Sequence, residues 1–385
     1  MNNILFVSYN HGNENVADSV QNHRLIPALK KYFDINVIQR KVNKSSVGIW
    51  SPNIYIIDRV IYKLFPYLFS IFSLDRLLWC IITYNKIKKI IPDYQYLIMV
   101  YEPYTIRYLQ YLIHNKYKKL KIITLLYDPY VDNIFMGKEK IGEKIRARIE
   151  SKIVNLSDLV VAYNNKHYNL IKNRYPYARV FGSVFCGMPS MPVDINKYSD
   201  KDSCIKTLIH VGNIYGERKI NCLNTAISVL KQKMSRVTDH LHIAFYGTYC
   251  VGYEKVIEAG NDDVITHSSP LYGSDLQKVI NNADGLLLID PMDERNTCIP
   301  SKLCEYYQFK KPIFGFSAKG TPSYESLKES GNIVCDESEI DIMVESLMAF
   351  SSCSLNFVSP KKKFYDEQFY PAEVAKKLYN IILQA

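Results

Sequence analysis

No two cysteines in this sequence are spaced as C-x-x-C. The nine lie scattered, Cys298 and Cys304 being the closest pair. No His or Cys set at zinc spacing surrounds them, which argues against a structural zinc module. An odd number without a pairing pattern fits free thiols in a reducing compartment, not a disulfide framework. Long apolar runs are missing as well. The most apolar region has a longest charge-free stretch of eleven residues, Leu64 to Leu74, where a spanning helix needs about 20. The start, Met1-Asn2-Asn3 and then a short apolar run, lacks the basic region and cleavage site of a signal peptide. The expected location is the cytoplasm, with a peripheral place at the inner face of the cell membrane. A D-x-D metal motif is also missing from every predicted strand end. Asp262 and Asp263 are adjacent, Asp290 and Asp293 are too far apart, and Asp200-Lys201-Asp202 falls in a polar junction.

What is present is enough core for two domains. A chain of 385 residues exceeds one ordinary core, and 48% hydrophobic residues argue against disorder. Tyr supplies 31 residues. Its large contact area and polar tip suit sugar or interface binding, and a compositional bias raising Ile, Asn, Lys and Tyr together gives the same count. The net charge of +10 favours acidic partners. That charge is dispersed in small groups, at Lys86, Lys88 and Lys89 for example, and no nucleic-acid module accompanies it. The partners expected are nucleotide diphosphates or an anionic membrane, not nucleic acid.

Short apolar runs alternate with longer amphipathic ones, the pattern of βα units around a parallel sheet. In the first half, strands are predicted at Ile4 to Ser8, Ile35 to Gln39, Tyr96 to Val100, Lys121 to Leu126 and Leu159 to Ala162, with helices over Val20 to Phe33 and Lys138 to Asn155. The second half repeats the theme. Its strands begin near Thr207, His242, Val264, Gly285, Pro312 and Asn332, with helices near Arg218 to Lys233, Ser274 to Asn282, Ser301 to Phe309 and Ile340 to Phe350. Cys186 to Ser203, with Gly187, Pro189 and Pro192 before a polar stretch, is the predicted junction. The expected fold class is α/β, two Rossmann-like domains facing across a cleft. One covers 1–190, joined by the C-terminal helix 365–385, and the other covers 204–360. Ile54 to Ile91 breaks the alternation. It reads either as one or two buried helices, or as an interfacial surface. In the second case Phe65, Phe69, Phe72 and Trp79 would enter the headgroup region while Lys86, Lys88 and Lys89 face anionic lipid.

Chemistry concentrates in Ala283 to Phe316. A buried strand feeds a polar loop, which opens a helix at Pro300-Ser301, with Pro suited to a first turn and Ser to a cap. A helix start offers N–H groups and positive dipole to an anion. Glu305, four residues after Ser301, lies on the same helix face. That arrangement suits a diphosphate at the tip and a ribose diol one turn deeper. The strand from Thr207 to Val211 ends in Gly212-Asn213-Ile214-Tyr215-Gly216-Glu217-Arg218-Lys219. Glycines permit close backbone approach, and two cations at a helix start conflict with its dipole unless an anion compensates them.

TLIHVGNIYGERK followed by ADGLLLIDPM and IPSKLCEYYQFKKPIFGF resembles the donor half of GT-B glycosyltransferases, particularly family four. The resemblance implies donor binding by Gly212, Asn213, Arg218, Lys219, Thr297, Ile299, Ser301, Lys302 and Glu305. Arg218 and Lys219 would neutralise the diphosphate and assist catalysis, and Glu305 would hold the ribose. It departs from the family where another Glu, eight positions before the ribose Glu, ordinarily faces the transferred sugar. Thr297 stands there, so Thr297 or nearby Asp290, Asp293 or Glu294 would take the role. In the first half, Gly12 of the Asn10-His11-Gly12-Asn13 loop is either a phosphate-approach glycine or a turn. Tyr127 stands where the family has His, beside Asp128, a catalytic or acceptor-binding carboxylate or else a turn starter with Pro129. Glu102 is a second acceptor-side candidate.

The expected protein is thus a metal-independent glycosyltransferase needing no cofactor. It would pass a sugar from a nucleotide sugar, a UDP-sugar by preference, to a glycan or polyprenyl-diphosphate-linked acceptor in bacterial surface polysaccharide synthesis, with retention. The alternatives are a sugar-nucleotide epimerase of similar fold and a catalytically inactive partner subunit.

Overall fold

The computed structural model describes residues 2–11, 17–41, 48–51, 55–64, 73–101, 104–135, 140–182, 205–234, 236–355 and 369–384. The predicted junction, together with Gly12, Phe65, Phe69, Phe72 and Glu102, lies outside them. The chain divides into two compact units, Met1–Ser190 with Asp366–Ala385, and Met191–Tyr365.

The first unit runs β1 (Asn3–Val7), α1 (Ala17–Leu29), β2 (Asp34–Ile38), α2 (Tyr55–Leu64), α3 (Leu74–Ile87), β3 (Tyr96–Val100), α4 (Arg107–Lys116), β4 (Lys121–Leu126), α5 (Lys140–Asn155), β5 (Leu159–Ala162), α6 (Asn165–Arg174) and β6 (Val180–Phe181). All six strands are parallel, in the order β2-β1-β3-β4-β5-β6. Helices cover both faces, so the strands are apolar at successive positions instead of alternating. Leu5, Val7, Leu97 and Met99 point into a core closed by α3, α4 and α5. Their neighbours Ile4, Phe6, Ile98 and Val100 point the other way, onto α1 and a helix from the far end of the chain.

Trp79 and Cys80 of α3 are fully buried, which corrects the expectation that Trp79 enters a headgroup region. The indole belongs to the core, edge-on to Tyr9 at a centroid distance of 5.1 Å. Trp79→Ala would cost about 3–5 kcal/mol. Helix α3 begins at Ser73, whose hydroxyl accepts from Arg76 N–H. Asp58 of α2 adds a second cap, accepting from the Leu74 and Asp75 N–H groups.

The second unit runs β7 (Lys206–Val211), α7 (Asn221–Lys233), β8 (Leu241–Tyr246), α8 (Tyr253–Glu258), β9 (Ile265–Ser268), α9 (Gly273–Asn282), β10 (Gly285–Ile289), α10 (Ser301–Tyr306), β11 (Ile313–Phe316), α11 (Pro322–Glu329), β12 (Ile333–Cys335) and α12 (Ile340–Ser351). Its strands are again all parallel, ordered β12-β11-β10-β7-β8-β9. This is the dinucleotide-binding order, and the strand sequence reverses between β7 and β10. Loops leaving the carboxyl ends of those two strands diverge there and open a crevice. The last helix, α13 (Pro371–Ile382), lies against α1 of the first unit, with Val374, Ala375 and Leu378 buried. Among the described residues no helix is long and apolar enough to cross a membrane.

Candidate active site

The reversal between β7 and β10 brings together side chains far apart in sequence. Gly212 follows β7 with φ +99°, a left-handed conformation that glycine adopts without strain. A β-carbon there would stand 3.1 Å from Lys302 Nζ, so the missing side chain is what lets the ammonium approach the backbone. Lys302 belongs to the first turn of α10. Its Nζ lies 3.0 Å from His210 Nε2, while His210 Nδ1 is 2.9 Å from the Leu287 carbonyl of the adjoining strand. A carbonyl only accepts, so Nδ1 carries the proton, Nε2 is the acceptor, and Lys302 donates to it. Burial first, and then Lys302, hold the His210 pKa well below its ordinary value, in keeping with a neutral ring.

Arg218 and Asp290 complete the cluster. The Arg218 guanidinium is buried, sits 5.2 Å over the Tyr215 ring centroid, and has Nε 3.8 Å from Asp290 Oδ1. Asp290, at the carboxyl end of β10, accepts from Asn296 Nδ2 at 3.1 Å. Its burial raises the carboxyl pKa to about 6 against the opposing pull of Arg218. Lys302 is pushed down to about 7, by burial first and Arg218 second, while Asp290 and Glu305 pull it upward. Two cations therefore share one reluctant carboxylate beside a bare glycine backbone. An entering anion would relieve the repulsion, which makes this cluster the candidate site.

Several sequence expectations change in detail. Pro300, not Ser301, is the N-cap residue of α10, and its own side chain makes no capping hydrogen bond. Ser301 is the first helical residue. Helix α7 begins at Asn221, so Arg218 and Lys219 occupy the loop before it and do not oppose its first turn directly. They also part company, Arg218 being buried and Lys219 exposed. Asn213 turns its Oδ1 to the Thr248 and Tyr249 N–H groups, at 2.7 and 3.3 Å, and so ties the β7 loop to the β8 loop. Thr297 is buried and Ile299 half-buried on the loop between β10 and α10. Glu305 is half-buried, and its charge reaches Lys302. Of the substitutes considered for Thr297, Asp293 is paired with Arg295, while Asp290 is held inside the cluster.

The first unit gathers a different set at its strand ends. Asn22 Nδ2 donates to Ser8 Oγ at 3.0 Å, and Tyr127 OH donates to Asn22 Oδ1 at 2.8 Å. Tyr127 is buried with its hydroxyl engaged, and Asp128 beside it is half-buried. His11 and His23 stack at 4.1 Å. The His11 carbonyl accepts from Ser19 Oγ and His23 Nε2, both at 2.8 Å, and burial lowers the His11 pKa to about 4. The loop beyond Asp128 is pinned by Arg174, which donates to Asp132 at 2.6 Å and to buried Glu150 at 2.8 Å.

No family model and no curated relative matches the sequence. Solved structures do. Sucrose-phosphate synthase from Thermosynechococcus elongatus superposes with TM-score 0.67 at 10% identity, over 100% of this chain and 99% of that one. The lipopolysaccharide outer core galactosyltransferase WaaB gives 0.64 at 16% identity over 100% and 99%. A UDP-forming α,α-trehalose-phosphate synthase from Burkholderia xenovorans, in complex with glucose-6-phosphate, gives 0.64 at 10% identity over 99% and 100%. The fold is glycosyltransferase-like. In such a fold, sequence reading missed His210 and the Arg174–Glu150–Asp132 network. A His interrupting the apolar run of β7 and a Glu on the inward side of α5 were the available signals.

Proposed function

We propose that the chain is a glycosyltransferase of the family-four kind, with its donor held by the second unit. The observation that carries this reading is the strand reversal that sets Lys302 against Gly212 and His210, and Arg218 against Asp290, at neighbouring strand ends. A nucleoside diphosphate fits there as the anion that quiets two crowded cations. Glu305, one turn into α10, would accept from the ribose hydroxyls. Lys302 and Arg218 would then take the charge that develops on the departing diphosphate, the part a metal plays in other transferases. In the retaining course, the anomeric C–O bond to the diphosphate breaks and the acceptor oxygen bonds to the same face. The acceptor proton passes to the leaving phosphate. The proposed donor is a UDP-sugar, and the proposed acceptor a glycan or polyprenyl-diphosphate-linked sugar of bacterial surface polysaccharide synthesis. Peripheral contact with the membrane would bring enzyme and lipid-linked acceptor together.

Thermal-shift measurements with UDP-, GDP-, CMP- and dTDP-sugars test the donor site. A ribonucleotide sugar, UDP-linked by expectation, raises the melting temperature of the wild type, and Glu305→Ala and Arg218→Ala lose that rise. A preference for the deoxyribose donor would sink the role given to Glu305. Isomerisation of a sugar nucleotide without acceptor would favour an epimerase instead.

A further inference from the structure

Beyond their last ladder residues, β7 and β8 stay locked together. Their loops meet backbone to backbone at Gly212 and Gly247, where a β-carbon on Gly247 would stand 2.7 Å from the Gly212 carbonyl oxygen. Asn213 Oδ1 accepts from the Thr248 and Tyr249 N–H groups. Ile214 then forms a parallel bridge with Cys250. Its N–H donates to the Tyr249 carbonyl at 2.8 Å, and its carbonyl accepts from the Val251 N–H at 3.1 Å. The Tyr215 carbonyl closes the extension by accepting from the Arg218 N–H at 3.2 Å.

Register decides which side chains share a face. Side chains alternate along paired strands, so Ile214 and Cys250 point to one side, and Tyr215, Tyr249 and Val251 to the other. Burial agrees. Ile214 is buried and Cys250 half-buried, whereas Tyr215, Tyr249 and Val251 are 51%, 62% and 44% exposed. Two aromatic rings and an isopropyl group thus form one outward ledge on a rigid base. One end of the ledge stands on the charged cluster, because the Arg218 guanidinium lies 5.2 Å from the Tyr215 ring centroid while its Nε is 3.8 Å from Asp290. Scattered exposed apolar residues need no explanation, but a fixed aromatic ledge at the rim of a candidate site does. Its chemistry selects the occupant. The face of a tyrosine ring is electron-rich, and the axial C–H groups of a pyranose carry the complementary partial positive charge. Thr248 and Glu217, exposed on the same two loops, offer a hydroxyl and a carboxylate to sugar hydroxyls.

The geometry points to a saccharide subsite on the second unit, in which Tyr215 and Tyr249 stack on a pyranose ring beside the diphosphate. Its residues are not those of the acceptor-side candidates in the first unit. The inference deepens the glycosyltransferase reading and rests on that reading for its purpose. Saturation-transfer NMR on the whole protein tests it, with the methyl pyranosides of glucose, galactose, mannose and N-acetylglucosamine as probes. At least one probe binds the wild type, and its binding persists under saturating UDP. Tyr249→Ala weakens that binding about threefold to tenfold, whereas Tyr249→Phe, which keeps the ring, retains it. The side chain is exposed, so both variants keep the wild-type melting temperature. Absence of a signal from every probe, or equal binding by the wild type and Tyr249→Ala, overturns the proposal. So does displacement of the probe by UDP, because the ledge would then hold the nucleobase. A UDP-sugar that binds sorts the source of the ring: it displaces the probe where the ledge takes the transferred sugar, and leaves it where the ledge takes the acceptor. UDP binding, measured by calorimetry on the same proteins, separates the two readings. Its absence with the saccharide signal intact strikes the donor site alone, and the converse strikes the ledge alone.

Discussion

The two units share an all-parallel six-stranded plan, yet their strand ends are furnished in opposite ways. In the second unit, the ends of β7 and β10 hold charges in tension, with Lys302 and Arg218 crowded around Asp290 and His210 fixing the lysine from behind. In the first, β1 and β4 end in a neutral chain of hydrogen bonds from Tyr127 through Asn22 to Ser8, each donor matched to an acceptor. On the proposed reading one arrangement awaits an anion, and the other finds its partners within the chain. The difference indicates where binding energy is stored for a charged ligand and where the scaffold is simply held in shape.

Three experiments would break or sharpen that contrast. Lys302→Met has the largest expected effect. Losing a charge-assisted phosphate contact costs about 2–3 kcal/mol, roughly a hundredfold in UDP affinity by calorimetry. An unchanged affinity would show that Lys302 is not a phosphate ligand. In the first unit, Asn22→Leu removes one hydrogen bond from Tyr127 and one from Ser8 and should lower urea stability by about 1–2 kcal/mol. UDP affinity should stay as it was, and a parallel loss of nucleotide binding would contradict the separation of roles. The smallest effect is that of pH. Lys302 sits near 7 where a free lysine sits near 10.5, so it is charged below pH 7 and neutral above. Binding a diphosphate restores the proton. UDP affinity should therefore fall as pH rises from 7 to 8.5, by about tenfold at most. Calorimetry at pH 8.5 in buffers of different ionisation enthalpy should register proton uptake that disappears at pH 6. Uptake that persists in Lys302→Met would assign the proton elsewhere.

Much of the molecule was legible in one dimension. β3, β4 and β5 have the predicted bounds and β10 the predicted start, because a strand covered on both faces is an unbroken apolar run that only a buried parallel sheet accommodates. Short runs gave less. The two-residue β6 and the six-residue α8 carry too few side chains to display a period. Helix α7 was expected to begin at Arg218, because an amphipathic pattern does not mark where hydrogen bonding starts; the chain instead spends that stretch on the cluster. Lys302 and Gly212 were named separately from motif and turn chemistry. That one leans over the other, and that His210 props the lysine, depends on residues about 90 positions apart.

The sequence by itself determined two parallel α/β cores, since apolar periodicity and turn residues act locally and leave a local record. It also supplied the cations and the glycine that the proposed donor site uses. Only the tertiary structure decided which groups face one another. The pairing of Arg218 with Asp290, the burial of Trp79 and the outward ledge of Tyr215 and Tyr249 follow from strand order and helix packing, and these are settled by the burial of the whole rather than by any neighbour along the chain.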